Sequence, residues 1–308
     1  MKAVVLAAGK GSRLYPVTHH IPKPLLPLAN RMTLEYAFDR LKEVGVTEVC
    51  LVVGENETKM RERLEDGSEF GISLHYVRQH EPKGLAHALG FAEEWVNKDN
   101  FMLYLGDAIY TGTLEPYAKR FLESGCANLN LVQPVEDPRR YGVANTDGER
   151  IVKLVEKPQH PESNLAMAGS YFFGPEIWSV LPDLQPSGRG EYEITDAIQL
   201  LIDRGHTVLA GVYEGHWYDT GTLDSFLEVS AYLSGGRILN AGRVEAQMDA
   251  PVVIGAGAHV ICDAIEDSVV LPGAKVHVLG KIRHAFLGGV VKADEDLANV
   301  IVYDHDRT

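Results

Sequence analysis

A chain of 308 residues can hold one large domain or two smaller ones, and 45% apolar with 23% charged residues is the composition of a globular protein. The 43 acidic against 29 basic residues leave a formal charge of −14, which argues against nonspecific binding to nucleic acid or an anionic membrane. Any anionic substrate must then be received by a few local cations.

The chain opens MKAVVLAAGKGSRLYP. A charged start followed by AVVLAA has the outline of a signal peptide, but Gly9 and Lys10 interrupt the apolar run after about six residues, shorter than a signal core. It reads instead as the first strand of a cytoplasmic protein. No later run approaches the roughly 18 apolar residues that span a bilayer.

AVVLA (Ala3–Ala7), EVCLVV (Glu48–Val53), ISLHYV (Ile72–Val77) and FMLYLG (Phe101–Gly106) are predicted strands. Between the first two, TLEYAFDRLKEVG carries Leu34, Phe38, Leu41 and Val44 at helical spacing and ends at Gly45. Lys59–Leu64 and Leu85–Val96 are further predicted helices. Strands alternating with helices imply a mostly parallel α/β sheet covered on both faces, with ligands collecting beyond the strands' carboxyl ends. The loops after Ala7, Val77 and Gly106 are therefore the places to look.

From Ala127 the pattern turns to strands: NLNLVQPV, YGVANT, IVKLVEKP and MAGSYFF. Two helices follow, ITDAIQLLIDRG and TLDSFLEVSAYLSGG, and Gly235-Gly236 marks a boundary. The expected division is a catalytic domain over 1–235, its halves meeting near residue 126, and a C-terminal domain over 236–308. In that tail, Ile254, Val260, Ile265, Leu271, Val276, Ile282 and Leu287 recur in alternating steps of six and five. Such hexapeptide periodicity is the mark of a β-helix. The repeat predicts roughly two coils, too few to stand alone, so they should lean on the catalytic domain or on another subunit. An irregular antiparallel extension is the alternative. The three cysteines, Cys50, Cys126 and Cys262, are far apart and form no CxxC, as expected of buried free thiols rather than a zinc site or a disulfide framework.

The loop Gly9-Lys10-Gly11-Ser12-Arg13 lacks the spacing of a Walker A loop, and Leu14 stands where a dinucleotide fingerprint needs its third glycine. Pro16, Pro22, Pro24 and Pro27 forbid a regular helix for the next dozen or so residues. What remains is a long loop of backbone donors carrying Arg13 and Lys23. On its glycines alone it could equally be a mobile turn with solvated cations.

LAAGKGSRL followed by PKPLLPL closely resembles the signature of the sugar-1-phosphate nucleotidyltransferases. The resemblance continues in family order through Gln79 with Gly84-Leu85-Ala86, LGDAI, YGV, EKP, AGSY and WYDTGT, covering residues 3 to about 235. Within the family the chain looks most like glucose-1-phosphate thymidylyltransferases of the long form, which end in a left-handed β-helix. The resemblance implies a Rossmann-like mixed sheet and an enzyme joining a nucleoside triphosphate to a sugar 1-phosphate with release of pyrophosphate.

It also implies roles for particular residues. Arg13 would grip the departing β,γ-phosphates, Lys23 the α-phosphate, and Lys157 the sugar 1-phosphate. Leu6, Ala8, Gly9, Gly11, Gln79 and Gly84 would bind the nucleotide. Tyr141, Gly142, Glu156, Lys157, Gly169, Tyr171 and Trp217 would bind the sugar phosphate. Asp107 and Asp219, each by itself readable as a turn or cap residue, would together give a Mg²⁺ ion its carboxylate oxygens. A glutamine amide can meet a pyrimidine edge through both its oxygen and its N–H, which favours thymine or uracil, although an amide flip would also meet cytosine. One methyl separates dTTP from UTP, worth only about 1–3 kcal/mol in a pocket, so UTP or another NDP-sugar activity is the alternative.

Ala8, Ser12 and Ala108 depart from the family's usual glycine, threonine and asparagine. The adjacent His19-His20 reads as loop polarity, since Mg²⁺ prefers oxygen. A non-catalytic regulatory subunit is the competing class, but it should have lost the cations or aspartates, and all are present. A tail acting as an acyltransferase lacks the coils for the usual cleft. A homo-oligomer with contacts through the C-terminal domain is expected, with neither nucleic acid nor membrane as partner.

Overall fold

The computed structural model describes residues 1–307. The chain packs as two units, one built from Met1–Gly9 and Tyr36–Trp217, the other from Lys10–Glu35 and the chain from Tyr218 onward.

In the first unit the strands are β1 (Lys2–Ala7), β2 (Glu48–Val53), β3 (Ser73–Arg78), β4 (Phe101–Leu105), β5 (Asn128–Pro134), β6 (Gly142–Asp147), β7 (Arg150–Glu156), β8 (Leu165–Phe173) and β9 (Val208–Val212). The principal helices are α1 (Thr33–Glu43), α2 (Glu57–Leu64), α3 (Leu85–Gly90), α4 (Glu115–Ser124) and α5 (Ile194–Asp203). The strands form one nine-stranded sheet in the order β3-β2-β1-β4-β8-β5-β9-β7-β6. The first four are parallel, with Val4 beside Cys50 on one side and Leu103 on the other. β8 runs antiparallel to both β4 and β5, giving the mixed half. β1 and β2 are buried along almost their whole length because helices cover both faces, which is why they read as unbroken apolar runs.

Strand order reverses at β1, the switch point of a doubly wound sheet, where ligands bind beyond the carboxyl ends. The Gly106 N–H donates to the Leu6 carbonyl at 2.9 Å, so the loops leaving β1 and β4 start side by side. The core includes Val4, Leu103, Phe173 and Trp178, with Phe101 stacked on Trp178 at 5.1 Å. All three cysteines are free and buried, and burial pushes the Cys50 thiol up to about 12 and Cys262 to about 11. The helix expected over Leu85–Val96 is two pieces, Leu85–Gly90 and Glu93–Val96. Gly90 lowers the propensity where the pieces divide, while Ala86, Leu89, Ala92 and Val96 keep the buried stripe continuous across the break.

In the second unit, α6 (Leu223–Leu233) precedes β10 (Ile238–Asn240), β11 (Arg243–Ile254), β12 (His259–Val270), β13 (Lys275–Val278), β14 (Lys281–Ala293) and β15 (Leu297–Arg307). All pair in parallel, with β12 also pairing β14, as in the left-handed β-helix the resemblance implies. Three apolar rows run up the stack: Val244–Val260–Val276–Val291, Met248–Ile265–Ile282–Leu297 and Ile254–Val270–Leu287–Val302. Each row is four layers deep rather than the two coils predicted, because the outer layers use half-exposed residues such as Val244 and Val302 that weaken the repeat. The third row passes through Val270, and Leu271 is buried one position further on. α6 docks on this stack through Phe226 against Phe286, ring centroids 4.5 Å apart and both nearly inaccessible.

Candidate active site

In the second unit, the proline-rich stretch folds as a chain of tight turns. A 3-10 turn over Ser12–Leu14, a four-residue helix over Val17–His20 and another 3-10 turn over Lys23–Leu25 follow one another. Thr18 Oγ1 donates to the Gly11 carbonyl at 2.9 Å, closing the glycine turn on itself. Lys23 is thereby held with its side chain only 9% exposed, its Nζ 3.7 Å from Asp219 Oδ1. Arg13 NH2 lies 3.9 Å from Asp219 Oδ2.

Gly221 makes this cluster possible. A Cβ there would stand 2.5 Å from Arg13 NH2 and 2.7 Å from Asp219 Oδ1, so any side chain would displace one of the two. Thr222 then caps α6 in a reciprocal capping box with Ser225, fixing where the WYDTGT segment turns into helix. The two histidines are ring-stacking residues, His19 on Tyr15 and His20 on Tyr303 at 3.8 Å.

In the first unit, the loop after β3 forms a second arrangement. Gln79 is buried, and its backbone N–H donates to the Val53 carbonyl at 2.9 Å. Its side-chain Nε2 donates to the Gly84 carbonyl at 3.4 Å and lies 3.0 Å from His87 Nδ1. Gly84 has φ +108, and a Cβ there would come within 2.5 Å of the Tyr192 carbonyl, so only glycine fits this close approach. The sequence suggests that Gln79 offers both its oxygen and its N–H to a base. Here both amide hydrogens are directed to partners within the protein, the Gly84 carbonyl in the loop and His87 on α3.

The third arrangement joins the end of β7 to α5. Glu156 Oε2 accepts from Thr195 Oγ1 at 3.1 Å, and its Oε1 faces Lys157 Nζ at 3.4 Å and Arg189 NH2 at 3.7 Å. Burial raises the Glu156 pKa above its usual 4.5, a shift the neighbouring Lys157 opposes. Gly142 lies across from Glu156 in the β6–β7 ladder, and the Lys157 N–H donates to the Tyr141 carbonyl at 3.0 Å. Tyr141 packs edge-on against Trp217 at 5.3 Å, and Tyr171 is buried. Gly169, with φ +75, lies in the irregular stretch between Met167 and Tyr171 where β8 loses register with β5.

Asp107 follows β4 and is half-buried. Ala108 beside it is 3% exposed, and a Cβ on Gly169 would sit 3.7 Å from the Ala108 Cβ, so the departure from asparagine fills a packed corner. Leu6 is buried near the end of β1, which Ala7 closes, and beyond it Ala8 is half-buried, Gly9 exposed and Gly11 half-buried. Sequence reasoning missed His87, Arg189, Glu193 and Thr195. The signal for the last three was GRGEYEIT, a glycine-flanked arginine with three carboxylates or hydroxyls ahead of a helix. Arg189 NH2 lies 2.8 Å from the buried Glu193, which orders that loop beside Glu156.

A doubly wound sheet with a glycine loop at its switch point defines the class, an α/β enzyme that handles nucleotides. The chain belongs to the nucleotidyl transferase family, whose model matches residues 2–235. It is 42% identical over 233 residues to the low-salt glycan biosynthesis nucleotidyltransferase Agl11 of Haloferax volcanii, a stretch that is 75% of this chain and 65% of that protein, a little under two thirds. It is 34% identical to a glucose-1-phosphate thymidylyltransferase of Streptomyces griseus over 100% of this chain and 99% of that one. Among solved structures it is similar to a UDP-glucose pyrophosphorylase complexed with UDP-glucose, with a TM-score of 0.70 and 27% identity over 77% of this chain and 99% of that one.

Proposed function

We propose that this chain transfers a nucleotidyl group from a nucleoside triphosphate, dTTP by preference, to glucose 1-phosphate, giving dTDP-glucose and pyrophosphate. The observation that carries this reading is the cluster of Lys23, Arg13 and Asp219. In a protein of charge −14, a nearly buried lysine and an arginine gathered on one carboxylate, with no room for a side chain at Gly221, make a built anion site. Two cations beside one aspartate hold a local positive excess that triphosphate oxygens can take up.

In the reaction, an oxygen of the sugar 1-phosphate attacks the α-phosphorus in line with the departing pyrophosphate. Lys23 stabilises the negative charge that builds on the α-phosphoryl oxygens, and Arg13 holds the β,γ-phosphates that leave. Leu6, Ala8, Gly9 and Gly11 give the nucleotide a backbone-lined turn, with the base taken by the Gln79–Gly84 loop. Lys157 pairs with the sugar's phosphate while Glu156 accepts from its hydroxyls, against a surface of Tyr141, Gly142, Gly169, Tyr171 and Trp217. Asp107 and Asp219 offer hard carboxylate oxygens, the donor type Mg²⁺ takes, and the ion when bound would neutralise phosphate charge. The catalytic domain is proposed to cover 1–235, with 236–308 as an appendage that contributes contacts in a homo-oligomer.

UTP is the second reading, since one methyl group distinguishes the bases and the Gln79 loop contacts described above do not involve it. Pyrophosphate release from a matrix of dTTP, UTP, CTP, ATP and GTP against several sugar 1-phosphates tests both. The expected result is turnover with dTTP, or with UTP, and glucose 1-phosphate. Nucleotide binding with no release from any pairing would favour the regulatory-subunit reading instead.

A further inference from the structure

The Gln79 amide has two hydrogens and one oxygen to offer, and the loop and α3 together account for both hydrogens. The Gly84 carbonyl, 3.4 Å from Nε2, can only accept, which fixes the nitrogen on that side. With an NH₂ group facing it at 3.0 Å, His87 Nδ1 must present its lone pair, so the ring proton resides on Nε2. The imidazole is half-buried, edge-on to Phe91 at 5.1 Å and beside the Tyr192 ring at 6.1 Å. Burial and then the nearby Lys83 lower its pKa below the usual 6.5, while Glu81 opposes them, so the ring is neutral and able to accept at neutral pH.

We propose that His87 is a specificity-determining positioning residue, which as an acceptor holds the Gln79 amide so that only its carbonyl oxygen is left to read a pyrimidine. This rests on the reading above that the Gln79 loop receives the base. A lone acceptor complements the N3–H of thymine or uracil. It opposes the N3 lone pair of cytosine, and the amide flip that would relieve that opposition breaks the contacts to both Gly84 and His87. Discrimination against cytosine therefore lies in a residue that does not touch the base. Protonation of His87 would place N–H against NH₂ and drive the amide over. The charged and titratable groups facing the ring are Lys83 and Glu81 from the loop before α3 and Tyr192 from the loop before α5.

The test measures kcat/KM for dTTP, UTP and CTP with glucose 1-phosphate in the wild type, His87→Phe and His87→Gln. The wild type should favour UTP over CTP by about a hundredfold or more, as sites with committed hydrogen-bonding groups do. His87→Phe keeps the ring packing and loses the acceptor, and should reduce that ratio by about tenfold with KM for glucose 1-phosphate unchanged, a loss of one hydrogen-bond preference. His87→Gln can again supply an acceptor and should restore it. The ¹⁵N shifts of His87 near pH 7 should report an unprotonated Nδ1 and a protonated Nε2. An unchanged UTP:CTP ratio in His87→Phe, or a proton on Nδ1, overturns the proposal. If the wild type releases pyrophosphate with no pyrimidine nucleotide, the functional reading fails and takes the discrimination with it, while the ring-nitrogen shifts separately decide whether His87 orients Gln79.

Discussion

Lys23 is withdrawn from water. Its ammonium reaches Asp219 while the side chain is 9% exposed, so its charge is less screened than that of the 58% exposed Arg13. Lys23→Ala and Asp219→Asn should each lower pyrophosphate release by about a hundredfold or more, the scale of losing one preorganised electrostatic group. Thermal unfolding monitored alongside should change little by comparison, and near-wild-type turnover in either variant would remove its assigned role. Glu156 permits a test by pH. Because burial raises its pKa, it is protonated at a higher pH than an ordinary carboxylate and, in the sugar-binding role proposed for it, would cease to accept from a hydroxyl sooner on the acid side. KM for the sugar phosphate should therefore rise as pH falls toward that raised pKa, and Glu156→Gln should flatten this part of the profile. Lys23 and Glu156 were legible in the sequence because short motifs surround them. The Glu156 partners Thr195 and Arg189 were not, since 39 and 33 positions separate them from Glu156 and only folding brings them together.

At the scale of elements, α6 is tied to the β-helix by more than its apolar face. Asp267 on β12, His284 on β14 and Asn299 on β15 stand in successive layers, all with left-handed backbone at φ 40, 49 and 55. His284 Nδ1 lies 2.5 Å from Asp267 Oδ2, and its Nε2 lies 2.9 Å from Asp224 Oδ1 in the first turn of α6. An imidazole with a carboxylate at each nitrogen donates to both only as the imidazolium. Burial alone would lower its pKa, but the hydrogen bonds and charges of Asp267 and Asp224 outweigh it and raise the value above the usual 6.5. A pKa raised on folding gives stability that is whole below the unfolded value and lost as pH climbs through the folded one. The melting temperature should accordingly fall as pH is raised from about 6 to about 9, and His284→Gln should abolish that component of the slope. A wild-type slope retained in the variant would show that the clasp contributes nothing. None of this was visible beforehand, because His284 and Asp224 belong to segments of unrelated pattern.

At the scale of the molecule, the segment carrying Arg13 and Lys23 packs in the same unit as the β-helix. His20 stacks on Tyr303 at 3.8 Å, and Asn30 Nδ2 donates to the Ile254 carbonyl at 3.4 Å. Removing the chain after Gly236 should therefore disturb the Arg13–Lys23 segment itself. Pyrophosphate release should fall along with thermal stability, and limited proteolysis should cut within Lys10–Glu35 faster than in the full chain. Tyr303→Ala in the intact chain should show a milder form of the same proteolytic change. A truncated protein with full activity and unaltered cleavage would mean that the β-helix does not support this segment.

The doubly wound half of the sheet and the β-helical tail could be read directly from the chain. Unbroken apolar strands, helical spacing and six-residue repeats are local signals, each written within a few neighbouring residues. Tertiary structure alone decided that the β-helix is four layers deep, that Gln79 keeps its amide hydrogens for Gly84 and His87, and that the Arg13–Lys23 segment shares a unit with the tail. Those facts depend on which distant side chains and backbone groups meet when the chain closes on itself. Burial and hydrogen-bond satisfaction set that outcome, and no local pattern encodes it.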